Sequence, residues 1–169
     1  SQNIIPIYEP GLADLVKKNN QSNYLNFGNK LSDIKDANII FIAVGTPSMR
    51  RGDGEADLKY VYKVCKDLSK FLNKKYKTLI VTKSTVPITT GDKIEQIILK
   101  KNNKKKFDIV SNPEFLREGE AIRDFLYPDR VVIGTNKKKC NKIMKSLYLP
   151  IIKKEGRYFN TSRRGAEMI

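Results

Sequence analysis

Residues 39–45 read Ile39-Ile40-Phe41-Ile42-Ala43-Val44-Gly45, an unbroken apolar run, rich in β-branched residues, that ends at a glycine. Residues 78–82, 107–110 and 130–133 form three further runs of the same character, the last one ending at Gly134. A strand that is apolar without alternation is typically covered on both faces, as in a parallel sheet. The four runs therefore predict strands of one mostly parallel sheet.

The segments between these runs have helical periodicity. Apolar residues recur there three or four positions apart, which is the spacing of one buried helix face. They are Val61, Val64, Cys65, Leu68 and Leu72 in the first segment, Ile94, Ile97 and Ile98 in the second, and Cys140, Ile143, Met144 and Leu147 in the third. Strands that alternate with helices form right-handed βαβ units. The sequence thus predicts an α/β fold with a doubly wound, Rossmann-like, mostly parallel sheet.

The composition favours one soluble domain. Hydrophobic residues make up 40% of the 169 residues and charged residues 30%. The longest apolar stretch, residues 39–44, is too short to span a bilayer, and no signal-peptide pattern is recognised. Two widely separated cysteines, Cys65 and Cys140, do not make a disulfide framework and are expected to be buried. We therefore expect a cytoplasmic protein with no membrane partner.

Histidine is absent from the sequence. This excludes Ser-His-Asp and Cys-His catalysis and histidine-based metal sites within the chain, and no metal site is predicted. Proton transfer here falls to Glu, Asp, Lys, Tyr or bound water.

The net charge of +15 raises the possibility of nucleic-acid binding. The lysines cluster in residues 99–106 and 137–139, where no aromatic residues are interleaved to stack bases. Such clusters are typical of helix ends and solvated loops, because lysine is mostly exposed. We therefore expect no nucleic-acid partner and keep a non-enzymatic, basic binding module as an alternative.

Three loops that follow successive predicted strands contain chemically useful residues. Residues 44–48 include a glycine and two hydroxyls, residues 83–87 contain adjacent hydroxyls, and residues 112–118 contain the acids Glu114 and Glu118. Each loop also has an ordinary structural interpretation, as a turn, a helix cap or a solvated acidic stretch. Because the carboxyl ends of parallel strands meet at one edge of a sheet, we expect the three loops to converge on one site.

The chain resembles a known family, the UDP-glucose/GDP-mannose dehydrogenases, and within it the UDP-glucose 6-dehydrogenase branch. The resemblance runs nearly from end to end. Its segments are Pro6-Ile7-Tyr8-Glu9-Pro10-Gly11-Leu12, Val44-Gly45-Thr46-Pro47, Asp53-Gly54, Ala56-Asp57-Leu58, Lys83-Ser84-Thr85-Val86-Pro87, residues 112–119, Asp124-Phe125, residues 128–134 and Ala166-Glu167-Met168-Ile169.

The resemblance implies an oxidoreductase that converts C6 of UDP-glucose from alcohol to acid while it reduces two NAD molecules. It implies catalytic work for Glu114, as an acid/base in thioester hydrolysis, and for Thr85, which helps to position water. The residues that it places against NAD are Val44, Gly45, Thr46, Pro47, Ser48, Ser84, Thr85, Val86 and Glu118. Those that it places against the substrate are Glu114, Phe115, Leu116, Arg117 and Glu118.

The family pattern also begins with a strand and a Gly-x-Gly-x-x-Gly turn, which does not precede Ser1. The one Gly-x-Gly, residues 52–54, falls in a predicted loop. The active-site lysine and nucleophilic cysteine of the family are expected beyond Ile169. We therefore expect residues 1–160 to be a partial NAD-binding domain that lacks the first βαβ element, and residues 161–169 to begin a central helix that leads to a substrate domain.

Such a chain is expected to be inactive alone and to belong to a homo-oligomer at full length. The alternatives are the GDP-mannose and UDP-N-acetylmannosamine branches of the same family, and a different Rossmann dehydrogenase of the hydroxyacid type.

Overall fold

The computed structural model describes residues 5–49, 55–72, 77–101, 106–152 and 157–169. The strands are β1 (Ile39–Ile42), β2 (Thr78–Thr82), β3 (Phe107–Ser111), β4 (Arg130–Gly134) and β5 (Arg157–Thr161). The helices are α1 (Leu12–Gln21), α2 (Lys59–Leu68), α3 (Thr90–Leu99), α4 (Ala121–Leu126), α5 (Lys138–Ile152) and α6 (Arg163–Glu167), and a 3-10 turn spans Leu31–Ile34.

The strands form one sheet in the order β1-β2-β3-β4-β5. Strands β1, β2 and β3 are parallel, β4 is antiparallel to β3 through the pair Ser111 and Gly134, and β5 is parallel to β4. The predicted α/β fold with a mostly parallel sheet is confirmed. Within the described residues β1 pairs along one side only, with β2, and the absence of a first βαβ element stays a prediction.

Apolar side chains cover both faces of the sheet. In β2, Ile80 packs on one face with residues of α2 and α3, whereas Leu79 and Val81 pack on the other face with residues of α5. Side chains of a strand alternate between faces, so an unbroken apolar run is what a doubly covered strand needs. Burial of each such side chain stabilises the fold by about 1.5–3 kcal/mol.

The two cysteines lie in different core clusters, Cys65 with α2 and α3 and Cys140 with α5. Both are free and buried, as expected. Burial raises the pKa of Cys65 to about 12 and also raises the pKa of Cys140. A thiol with a raised pKa is a poor nucleophile, so both cysteines serve packing.

Several sequence predictions need correction. Strand β1 ends at Ile42, two residues earlier than predicted, and the carbonyl of Val44 accepts a hydrogen bond from the Ser84 hydroxyl. Leu147 was expected in the core but is 44% exposed, and Tyr148 is buried instead. Strand β5 was not predicted, because its sequence is polar and its side chains are mostly exposed or half-buried.

One predicted feature and part of another lie outside the residues that the structure describes. The Gly-x-Gly of residues 52–54 lies outside the described residues, as do residues 102–105 of the first lysine cluster. None of the helices in the described ranges combines the length and the apolar character that crossing a bilayer requires.

Helix α6 packs directly against the end of β4 because Gly134 has no side chain. A Cβ built on Gly134 would lie 2.5 Å from Cβ of Ala166 and 3.0 Å from Cα of Arg163. The second distance involves backbone, which cannot move aside as a flexible side chain can.

We therefore predict that Gly134→Ala destabilises the full-length protein by about 1–3 kcal/mol through overpacking. Gly45→Ala is the matched control, since nothing lies within 4 Å of a Cβ built there. Denaturant unfolding of both variants checks this, and an equal stability of the two would contradict the packing argument.

Candidate functional site

The three loops do lie at one edge of the sheet, because each follows one of the parallel strands β1, β2 and β3. The first two loops are tied together by hydrogen bonds. The hydroxyl of Ser84 donates to the carbonyl of Val44 at 2.6 Å, and the hydroxyl of Thr46 donates to the carbonyl of Thr85 at 3.1 Å. The hydroxyls of Ser84 and Thr46 thus hold the first two loops against each other.

The first loop contains an open backbone position. Nothing lies within 4 Å of a Cβ built on Gly45, and Val44, Gly45 and Pro47 line a mostly apolar cavity of about 570 Å³ beside α2. A glycine with free space above it allows a ligand to approach the backbone closely. Ser48, the last residue of this loop, pairs with Ala56 in an isolated antiparallel bridge.

The third loop lines a larger and more polar cavity of about 690 Å³. Its wall includes four of the five residues predicted to contact a substrate, namely Glu114, Phe115, Leu116 and Arg117. Lys83 and Tyr148 complete the wall on the side of β2 and α5. Neither Thr85 nor Glu118 is among the described residues that line this cavity, and both are exposed.

Glu114 has an unusual carboxylate. Its Oε2 is buried and has no hydrogen-bond partner, and no other side-chain nitrogen or oxygen of the described residues is in that state. Burying a carboxylate oxygen without a partner is costly, which makes such an atom a candidate for contact with a ligand. Glu114 is also the residue to which the resemblance assigns acid/base work, and that role stays a prediction.

Lys83 is a basic residue in the wall of this cavity, as are Arg117, Arg123 and Arg130. Burial lowers the pKa of Lys83, and the charge of Glu114 acts in the opposite direction. The Nζ of Lys83 lies 5.8 Å from the centre of the Tyr148 ring, which is cation–π distance. Burial raises the pKa of Tyr148 to about 12, so this residue keeps its hydroxyl proton and donates it to Oδ1 of Asn112.

Charged side chains fix the rest of the third loop. Arg117 makes a bidentate pair with Asp124, and its Nη2 also bonds Oε2 of Glu120 at 2.9 Å. The guanidinium of Arg130 lies 4.4 Å from the centre of the Phe115 ring. Arg117, which was predicted to bind substrate, therefore has a structural role within its own loop.

Glu9 anchors the carboxyl end of this loop. Its Oε2 accepts the backbone N–H of Gly119 at 2.9 Å, and its Oε1 accepts that of Ile122 at 3.4 Å. Gly119 has φ 82°, a conformation that only glycine adopts readily. A residue more than a hundred positions away thus holds the turn that ends the loop.

Residues 1–152 match the family model described as the NAD binding domain of the UDP-glucose/GDP-mannose dehydrogenase family. The chain belongs to this family. The membership confirms the resemblance read from the sequence and NAD as the cofactor of the domain, and it removes the hydroxyacid dehydrogenase alternative.

Individual proteins that the chain resembles are dehydrogenases of the same family. UDP-glucose 6-dehydrogenase of Rhizobium meliloti is 46% identical over 98% of this chain and 38% of that protein. A UDP-glucose dehydrogenase from Pyrobaculum islandicum is 33% identical, with a TM-score of 0.89 over 98% of this chain and 38% of that one. A GDP-mannose dehydrogenase from Pseudomonas aeruginosa, solved as a ternary complex, is 31% identical with a TM-score of 0.91 over 99% and 38%. The chain therefore spans 38% of the length of these proteins.

Three residues that sequence reasoning did not assign line this cavity or hold the third loop. Lys83 opens the Lys83-Ser84-Thr85 segment, and Glu9 lies in the Tyr8-Glu9-Pro10 segment, so both carried a signal in the resemblance. Tyr148 carried none, because a tyrosine on a helix face gives no indication of which distant loop it will meet.

Asp108, in the central strand β3, is a charged residue that does not line this cavity. Burial raises the pKa of Asp108, but Lys137 and Lys77 pair with it and the net shift is downward. No group of three or more Cys, Asp or Glu side chains within the described ranges could hold a metal. The alternative of a basic binding module and the expected absence of a nucleic-acid partner stay predictions.

The Arg117–Asp124 pair predicts a specific acid response. Hydrogen bonds from the Arg117 side chain and backbone lower the pKa of Asp124 from 3.8 to about 2. A carboxylate with a lowered folded-state pKa stabilises the fold above its unfolded pKa and loses this contribution as the pH falls. Asp124→Asn should therefore destabilise the full-length enzyme at neutral pH, and the deficit should shrink between about pH 5 and pH 3. Melting temperatures of both forms across this range check it, and a constant deficit would contradict it.

Proposed function

We propose that this chain contributes to an NAD-dependent enzyme that oxidises UDP-glucose to UDP-glucuronate in two steps. The observation that carries the proposal is the buried, unpartnered Oε2 of Glu114, which lies in a cavity at the carboxyl ends of the parallel strands. This is where open α/β sheets bind their ligands. The names of the relatives support the choice of substrate and NAD, because the chain is up to 46% identical to proteins named UDP-glucose 6-dehydrogenase.

The first two loops suit the cofactor. The backbone of residues 44–48 is approachable at Gly45, and the second loop, with Ser84, Thr85 and Val86, is fixed to it by hydrogen bonds. We assign both loops to NAD, together with Glu118. When bound, NAD supplies the hydride acceptor, and these residues bind and orient it.

The third loop suits proton transfer. Glu114 has a carboxylate oxygen free of protein hydrogen bonds, so it can hold and deprotonate a water or a substrate hydroxyl. Lys83 offsets the negative charge of Glu114 from the wall of the same cavity. We assign Thr85 to positioning the water, and Phe115, Leu116, Arg117 and Glu118 to shaping the substrate side.

We assign the chain to the UDP-glucose branch of the family. UDP-glucose is favoured over GDP-mannose and UDP-N-acetylmannosamine by the identity to UDP-glucose 6-dehydrogenases, although a GDP-mannose dehydrogenase has nearly the same fold. We further propose a homo-oligomer in the cytoplasm. NADH production by the full-length enzyme with each of the three nucleotide sugars decides the branch, and turnover of GDP-mannose alone would overturn it.

Gly45→Ala tests the cofactor assignment. The methyl group points into open space, so the fold should be unaffected, whereas the close approach of NAD to the backbone should be blocked. We expect the Kd for NADH to rise about tenfold, roughly the cost of one lost close contact. Fluorescence titration of the full-length enzyme measures it, and an unchanged Kd would remove Gly45 from the cofactor site.

Glu114→Gln tests the catalytic assignment. The amide keeps the shape of the side chain but cannot accept a proton, so turnover should fall by roughly 10²–10⁴. If Glu114 acts in the hydrolytic step, the covalent thioester should accumulate and be visible in the intact-protein mass.

Glu118→Gln is the matched control for this experiment. It carries the same chemical change four residues further on, at an exposed position outside the cavity wall. It should weaken cofactor or substrate binding more than it slows hydrolysis. Wild-type turnover in Glu114→Gln would exclude Glu114 from the mechanism.

A further inference from the structure

The carboxylate of Glu167 accepts hydrogen bonds from the backbone at the start of α3. Its Oε2 accepts the backbone N–H of Thr89 and its Oε1 accepts that of Gly91, each at 2.8 Å. The residue is only 9% exposed. Both oxygens of one buried carboxylate are thus used on two unpaired N–H groups at a helix N-terminus, where a negative charge is favoured.

Thr89, one of the two residues that donate to Glu167, has a strained backbone. Thr89 has φ 75°, and it is one of two described non-glycine residues with positive φ. This region is unfavourable for a β-branched residue and persists only where the surroundings impose it. In this conformation the backbone N–H of Thr89 donates to Oε2 of Glu167.

The interface around this bond is tight. A Cβ on Gly91 would lie 2.8 Å from Oε1 of Glu167 and 2.6 Å from Cδ of Arg163. Asp92 of α3 pairs with both Arg163 and Arg164 of α6. The start of α3 is therefore held to α6 by two separate sets of contacts, the Glu167 carboxylate and the Asp92 ion pairs.

Only a short connection separates Thr89 from the second loop. The hydroxyl of Thr90 donates to the carbonyl of Pro87 at 2.6 Å, and Val86 is buried. One residue earlier, the carbonyl of Thr85 accepts the hydroxyl of Thr46. Thr85 and Thr89 are therefore joined by a short segment that hydrogen bonds hold at both ends.

We propose that Glu167 is a positioning residue, whose two hydrogen bonds hold Thr89 in its strained conformation and thereby fix Thr85 at the reacting end of the cofactor site. The catalytic part of this inference rests on the proposed function, in which Thr85 positions water. The structural part stands on the hydrogen bonds and the positive φ alone.

The test uses Glu167→Gln in the full-length enzyme. An amide has one acceptor atom, so it satisfies one N–H and presents its own N–H groups to the other. We expect kcat to fall about tenfold, the size expected for one lost charged hydrogen bond, with the KM for UDP-glucose within about twofold. Asp92→Asn is the matched control, because it weakens the same interface between α3 and α6 without touching Thr89. It should lower the melting temperature and leave kcat within about twofold.

Thr89→Gly provides the rescue. Glycine adopts φ 75° without strain and needs no clamp, so adding it to Glu167→Gln should restore at least half of the lost kcat. The inference is overturned if both single variants lose kcat in proportion to their melting temperatures, or if the glycine restores nothing.

Hydrogen-exchange mass spectrometry of the peptide that spans residues 86–92 tests the clamp without activity. Faster exchange in Glu167→Gln than in Asp92→Asn supports it, and equal exchange overturns it. A wild-type enzyme that fails to turn over UDP-glucose would refute the proposed function and leave this second measurement valid.

Discussion

The buried side chain of Asn112 joins the two halves of the sheet, and the candidate site depends on this junction. Its backbone N–H donates to Thr82 of β2, its Nδ2 donates to the carbonyl of Val132 in β4, and its Oδ1 accepts the hydroxyl of Tyr148 from α5. Strands β3 and β4 share only one residue pair, Ser111 and Gly134. The side chain therefore replaces the ladder that these strands lack, and leaving its partners unpaired would cost about 1–3 kcal/mol per group.

This junction explains why the cavity opens where it does. Parallel strands β1, β2 and β3 bring three loops to one edge, and the reversal of β4 leaves a gap beside the third loop. Glu114, which lines this cavity, follows the hydrogen-bonded Asn112 by two residues. Helix α5 contributes Tyr148, which both completes the Asn112 network and forms part of the cavity wall.

The sequence predicted what is local or periodic and missed what depends on distant pairing. Unbroken apolar runs identified four of the five described strands, because burial on both faces requires them. Strand β5 escaped, since an exposed edge strand needs no apolar run. The loops and Glu114 were found through spacing and resemblance. Glu9 and Glu167 lie in segments that carry the resemblance, but their hydrogen-bond partners were not predicted, because these partners lie more than 75 positions away.

The polar groups at this edge divide into two kinds. Asn112, Ser84 and Glu167 have protein partners, and their bonds hold the loops in place before any ligand binds. Glu114 alone among the described residues retains a buried oxygen without one. A catalytic group is most effective when its surroundings are fixed and its own reactive atom is free, since no protein bond then has to break before it accepts a proton. The hydrogen-bonded amide of Asn112 therefore gives this segment its rigidity, and the unpartnered carboxylate oxygen of Glu114 is the atom on which its proposed chemistry depends.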